Sequence, residues 1–404
     1  MAKARSGGWF EGLSRNTVFL ALASLFCDVS TEMLYPLLPV YLTQTLGAGG
    51  AVVGLIEGLA EGVQNVFQGV SGSLSDRLRQ RKSIALVGYA LSAIAKPLIG
   101  VAGAWPGVLG ARFTDRLGAG TRGAPRDALI AASADEAHRG KAFGLEGAGD
   151  NAGAFIGPLL AVALLTLWRL PMRTIFYLAF IPGALAFLMV LLVREGRADP
   201  GVKVRFDAGL RRFPAPYRRY LAAAALFGLG NSSNAFLILQ TRALGASLTT
   251  TIVIYALFNL VAALVSYPAG ALSDRIGRRA LLLISFVVAF LAYAGFALAS
   301  GVVAAALLFG LYGVFQGLFR TAGKALAVDL APPELRASGV GWYGATVGVT
   351  ALIASTAAGL VWDHVGHSVV FGLGAIFALV GAVAVLALVR PTDGRQLDRA
   401  APGA

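Results

Sequence analysis

Cysteine is nearly missing from this chain. Cys27 is the only one in 404 residues, which excludes an intrachain disulfide and any cysteine-held metal cluster. Charge is scarce as well: 14% of the residues are Asp, Glu, Lys or Arg, against about a quarter in soluble domains. Acid is scarcer than base, 21 residues against 34, so the formal net charge is +13. No zinc, P-loop or hydrolase pattern occurs. No segment is long enough to house a nucleotide domain, which excludes an ATP-driven pump. His364 and His367 lie close together, but two residues make a poor metal site and a surface role fits them better. No metal and no cofactor is expected. The stretch GAGTRG, Gly118 to Gly123, fits a dinucleotide pattern, yet that fingerprint needs a preceding strand and here it falls among arginines in an apolar helix. A glycosylation sequon at Asn231 is likewise placed inside a helix.

What the chain has in abundance is apolar length. It is 57% hydrophobic, with a mean hydropathy of +0.71. Run after run approaches the ~20 residues a helix needs to cross the hydrocarbon core. Glycine and charge clusters divide the chain into twelve helices, near 17–44, 51–71, 83–102, 106–132, 142–165, 174–194, 220–242, 250–272, 279–299, 302–330, 338–362 and 368–390. The only long polar stretch, 195–219, is basic and separates an N-terminal unit, 1–194, from a C-terminal one, 220–404. The reading is an all-α membrane protein with twelve transmembrane helices in two pseudo-symmetric six-helix bundles.

Basic residues collect in alternate loops. Lys3, Arg5 and Arg15, then Arg77, Arg79, Arg81 and Lys82, then Arg139 and Lys141, the linker, and Arg275, Arg278, Arg279 and Arg336 lie on one side, while the opposite loops carry only Arg169, Arg173 and Arg242. The asymmetry places both termini in the cytoplasm of an inner-membrane protein. It also argues against nucleic acid as the partner of the positive charge. The basic N-terminus leads into a long span without a small-residue cleavage site, and reads as a retained first helix.

Charge inside the spans is costly, roughly 2.5–3.5 kcal/mol at mid-bilayer, and marks a cavity or a partner. Asp28 and Glu32 share a face of helix 1, followed by Tyr35, Pro36 and Pro39, whose prolines kink the outer half. Glu57, Glu61, Gln64 and Gln68 form a stripe on helix 2. On helix 4, Arg112, Asp115, Arg116, Arg122, Arg126 and Asp127 fall within one face of about 140° at about 100° per residue. Arg126 and Asp127 are expected near the cytoplasmic end, where Arg reaches water easily. Helix 5 places Glu146 and Asp150 beside Gly149, Gly153 and Gly157, a small-residue face for close helix contact. In the second half Asn231 and Asn234 share a face of helix 7, and Gln316, Arg320 and Lys324 one of helix 10. Acids facing cations in a gated cavity form a proton-coupling device, and free arginines bind carboxylate or phosphate. The competing account is that the acids and arginines neutralise one another.

The chain repeats itself. GSLSDRLRQRK from Gly72 and GALSDRIGRRA from Gly270 align at a spacing of 198, which also relates Arg122 to Arg320 and Arg126 to Lys324. The second copy resembles the Gly-x-Leu-x-Asp-Arg-x-Gly-Arg-Arg signature of the major facilitator superfamily through Arg279, and the resemblance covers nearly the whole chain. The first copy departs from it, with Arg79 at the glycine position and Gln80 after it. The resemblance implies two bundles around a central cavity that opens to alternate sides. It implies a conformational latch at Gly72, Asp76, Arg77, Gly270, Asp274 and Arg275. It also matches Arg112 to an arginine of the family's proton antiporters, facing Asp28 and Glu32 of helix 1. Gly157-Pro158 resembles the antiporter signature without its following glycines, which leaves the direction of transport open.

These readings converge on a monomeric, proton-driven secondary transporter, not an enzyme, for a small anionic or zwitterionic organic solute. Efflux of cationic drugs and flipping of a lipid or lysolipid are the alternatives within transport. A receptor or scaffold has no need of charges inside its spans.

Overall fold

The computed structural model describes residues 13–78, 80–134, 138–195, 209–332 and 335–390, without the side chains of Ser73, Asp76, Arg77 and Ala337. Among the described residues, twelve helical spans cross the molecule and no strand occurs. Span α1 is Arg15–Leu34, extended by Leu38–Val40 and a π turn at Tyr41–Thr45. It is followed by α2 (Gly50–Leu78), α3 (Arg81–Val101), α4 (Trp105–Ala132), α5 (Arg139–Thr166) and α6 (Met172–Leu178 and Phe180–Leu192). The second half holds α7 (Ala215–Gly228 and Ala235–Ala243), α8 (Leu248–Ile276), α9 (Arg278–Leu298), α10 (Val302–Asp329), α11 (Arg336–His364) and α12 (His367–Leu388). Among the described residues, nine spans are long and apolar enough to cross a membrane on those grounds alone. The other three are α2 and α4, which carry the intramembrane charges, and α7, which is interrupted.

Local chemistry explains the breaks. Ser14 caps α1 by accepting from Thr17 N–H. Pro36 and Pro39 then remove two backbone donors and break the helix after Leu34, where the sequence predicts a kink. The interruption of α7 is a correction to the continuous helix expected over 220–242. Residues 229–234 read Leu-Gly-Asn-Ser-Ser-Asn, whose side chains compete for backbone hydrogen bonds. The freed donors find other partners: Ser233 N–H donates to Ser355 Oγ at 3.0 Å, and Ala235 N–H to Ser233 Oγ at 3.2 Å.

Helices α2 and α8 also outrun their predicted ends at 71 and 272, so both signature stretches form last helical turns before the connecting turn. Gly277 follows at φ +88°, a backbone region that favours glycine at this signature position. Within the first bundle α1 lies on α5 and α3 on α4; in the second, α8 and α9 pack on α10, and α9 on α12. The bundles meet along α2–α11, the most extensive helix pairing in the molecule, and along α5–α8. The linker residues 196–208 and Arg79 lie outside the described residues.

Candidate functional site: a closed-ended polar cavity between the bundles

A cavity of about 900 Å³ lies between the bundles. Its wall runs from Tyr35, Glu57 and Arg112 to Gly72, Lys324 and Ser338, at the ends of α2, α10 and α11 nearest the chain termini. At the opposite end the bundles are shut. The rings of Tyr35 and Tyr255 stack with centroids 5.4 Å apart, and Tyr35 shares a 3.2 Å hydrogen bond with Ser233.

Behind this closure sits a buried cluster of charge. Arg112 is 1% exposed. Its Nε and Nη2 donate to the two carboxylate oxygens of Glu57, each at 3.0 Å, and its Nη1 donates to Asp115 Oδ2 at 3.0 Å. The guanidinium lies 5.5 Å from the Tyr35 ring centre. Asp115 Oδ1 is held by Lys96, whose ammonium also donates to Thr31 Oγ1 at 3.3 Å. Two acids and two bases thus neutralise one another, with every formal charge hydrogen-bonded, the condition on which buried ions are tolerated. The partners of Arg112 differ from those expected. Asp28 and Glu32 do not pair with it; Glu57 of α2 does, and α1 contributes Tyr35 instead.

The remaining first-bundle candidates spread along the wall. Arg116 donates to Gln64 at 2.9 Å and lies 3.7 Å from Asp115. Glu32 accepts from Tyr255 OH at 2.9 Å and from Asn259 Nδ2 at 3.4 Å, bonds that join the bundles. Glu61 is exposed to the cavity, and its carboxylate has no hydrogen-bond or ion-pair partner among the described residues. A side chamber of about 300 Å³ continues the cavity between α1, α4, α5 and α8, lined by Asp28, Arg122, Arg126 and Asp150. There Arg122 donates to Ser92 at 2.9 Å and covers the ring of Tyr89. Arg126 lines this chamber with its side chain 19% exposed and held by acids. It pairs with Glu146 at 2.9 Å and Asp127 at 3.0 Å, and approaches Asp150 at 4.0 Å.

The second bundle contributes differently. Asn231 accepts from the hydroxyls of Tyr293 and Tyr312, at 2.9 and 3.4 Å. Asn234 and Gln316 face the cavity. Arg320 and Lys324 line it, both exposed, and neither has an ion-pair or hydrogen-bond partner among the described residues. In the signature, Asp274 and Arg275 are exposed and make no ion pair or hydrogen bond among the described residues; Arg278 instead pairs with Asp329 of α10. The side chains of Asp76 and Arg77 lie outside the described residues, and Gly72 lines the cavity mouth. Gly270 falls within α8. No group of three or more His, Cys, Asp and Glu side chains is arranged for a metal ion among the described residues.

Lys96 is absent from the residues singled out by sequence. Its signal was there: a single charge in the apolar run Ile84 to Val101, just before Pro97. Tyr255 and Asn259 carry no charge into α8, and their role appears only across the interface, where they meet Glu32.

Two six-helix bundles around a polar cavity closed at one end define a membrane transporter. The chain belongs to the major facilitator superfamily, whose sequence model matches residues 20–222 and again 220–403. It is therefore a transporter and not an enzyme. It is 32% identical to an uncharacterised MFS-type transporter of Methanocaldococcus jannaschii, over 93% of this chain and 95% of that one. It is 28% identical to a probable 4-methylmuconolactone transporter of Cupriavidus pinatubonensis, over 91% of this chain and 88% of that one. In three dimensions it is similar to the nucleoside transporter NupG, with a TM-score of 0.75 over 93% of this chain and 99% of that one at 16% identity, a likeness of fold.

Proposed function

We propose that the chain is a proton-coupled secondary transporter of the bacterial inner membrane, with cytoplasmic termini, for a small organic solute bearing a carboxylate or similar anionic group. The observation that carries this is the division of charge across the cavity. Arg320 and Lys324 on α10 form no ion pair among the described residues, while Glu61 on α2 and Glu32 on α1 face them from the other bundle. A bound anion satisfies the α10 cations, Arg320 by a two-point contact and Lys324 as a point charge. A zwitterion places its ammonium toward Glu61. Proton uptake belongs to the same acids. Among the described residues Glu61 has no ion-pair partner and Glu32 is held by neutral donors of the opposite bundle, so the charge state of Glu32 bears on how firmly the halves are joined.

The test is a thermal-shift screen of the detergent-purified full-length protein against organic acids, zwitterions, cationic drugs and lipids at two pH values. A binder raises the melting temperature by mass action. Organic acids or zwitterions are expected to stabilise the wild type, and Arg320→Ala to lose that stabilisation while melting normally without ligand. In proteoliposomes, Glu61→Gln is expected to flatten the pH dependence of uptake of the acid found. Stabilisation by cationic drugs alone replaces this reading with drug–proton antiport, in which Glu61 is the partner of the drug.

A further inference from the structure

Helix α2 begins without a cap of its own. The residues before it read Leu-Gly-Ala-Gly, and none has a side chain that can accept from the free N–H groups of a first turn. The repeat-related helix does have one. Ser247, 198 residues beyond Gly49, caps α8 by accepting from Thr250 N–H at 3.0 Å. In place of a cap on its own chain, α2 has Asp363 of the opposite bundle. The carboxylate accepts from Gly50 N–H at 2.7 Å and from Ala51 N–H at 2.9 Å.

Asp363 stands in the last turn of α11, where the helix macrodipole disfavours an acid. Its charge is favourable there only because the positive end of α2 is brought against it. The contact excludes the ordinary solution, since a Cβ on Gly49 would lie 2.7 Å from Asp363 Oδ2. The space a cap at residue 49 needs is taken by the cap from across the interface.

We infer that Asp363 is a latch of the transport cycle: by capping α2 across the bundle interface it favours the state whose cavity is closed at this end. When the bundles part here, α2 loses its cap and Asp363 is left at a helix end of like sign. The contact forms in only one of the two states, which is what lets it shift their populations. This goes beyond the substrate reading and rests only on the two bundles rocking against each other.

The experiment is a distance measurement by pulsed electron resonance on the full-length protein in lipid nanodiscs. Spin labels are placed at Gln44→Cys and Ser300→Cys, on exposed turns of the two bundles at the closed end, in a Cys27→Ala background. Wild type should show a dominant short distance. Asp363→Ala should raise the fraction of the longer distance about five-fold, the worth of one helix cap. Gly49→Ser in the Asp363→Ala background restores a cap within α2's own chain. It should return the melting temperature toward wild type and leave the longer-distance fraction raised. An unchanged distribution in Asp363→Ala overturns the latch. So does a Gly49→Ser/Asp363→Ala variant that recovers the short distance together with the melting temperature, because Asp363 then only caps a helix. A distance that never lengthens in any variant removes the rocking motion and the latch with it, whatever the substrate screen finds.

Discussion

Lys96 brings a positive charge into α3, where every neighbouring residue in its run is uncharged, and is itself 1% exposed. Its place becomes intelligible only beside Asp115, which without it would face Arg112 and Arg116 alone. Removing one member of a buried ion cluster costs about 3–5 kcal/mol, because its partner is left without compensation. Lys96→Met leaves Asp115 its two arginines and one oxygen without a donor, so it is expected to destabilise the detergent-purified protein by less, about 1–3 kcal/mol, and Lys96→Met/Asp115→Asn to recover most of the loss. Thermal unfolding of the two variants checks this, and a melting temperature untouched by Lys96→Met shows that the arginines suffice for Asp115. The same cluster shows how far residue-level reading goes. The shared face of Arg112, Asp115 and Arg116 is legible from spacing, because about 100° per residue is a local property. That Arg112 meets Glu57 of α2 and not Asp28 of α1 is not, because it depends on how three helices are rotated and shifted against each other.

Helix α5 shows what an element owes to its small residues. Backbone carbonyls of α1 lie where side chains on α5 would stand: a Cβ on Gly149 would be 2.6 Å from Ala21 O, one on Gly153 2.5 Å from Leu25 O, and one on Gly157 2.8 Å from Val29 O. The predicted small-residue face is thus the seat of α1, and Glu146 meets it through a 2.8 Å bond from Ser24 Oγ. Gly147 of the same helix faces open space. Alanine should therefore have opposite effects at the two positions. Gly147→Ala is expected to stabilise by about 0.5–1 kcal/mol through reduced chain entropy. Gly153→Ala is expected to destabilise by about 1–3 kcal/mol through overpacking. Melting temperatures on either side of wild type are the measurement, and two shifts of the same sign refute the close contact. Helix α7 is the counter-example at this scale. Its composition, two glycines and a Ser/Asn run, contained the break, but hydrophobic periodicity alone carried the predicted helix through it.

For the molecule as a whole, charge asymmetry predicts orientation. Cysteines introduced at Thr45→Cys or Ser300→Cys, in exposed turns at the closed end, should react with an impermeant thiol reagent in intact cells. Arg211→Cys, within the linker, should be protected, and the reverse pattern would invert the topology. Sequence by itself determined the number of spans, the repeat at a spacing of 198, a bend of α1 at its prolines and the concentration of intramembrane acid in the first half. Each of these is a property of one segment or of two segments compared, and water, hydrocarbon and helical periodicity dictate it without reference to neighbours. Tertiary structure decided the rest: that Lys96 neutralises Asp115, that Tyr255 holds Glu32 from the opposite bundle, and that Asp363 caps a helix more than three hundred residues away. Those pairings depend on the rotation and axial offset of packed helices. Many apolar contacts spread over long interfaces set these quantities together, and no single stretch of sequence encodes them.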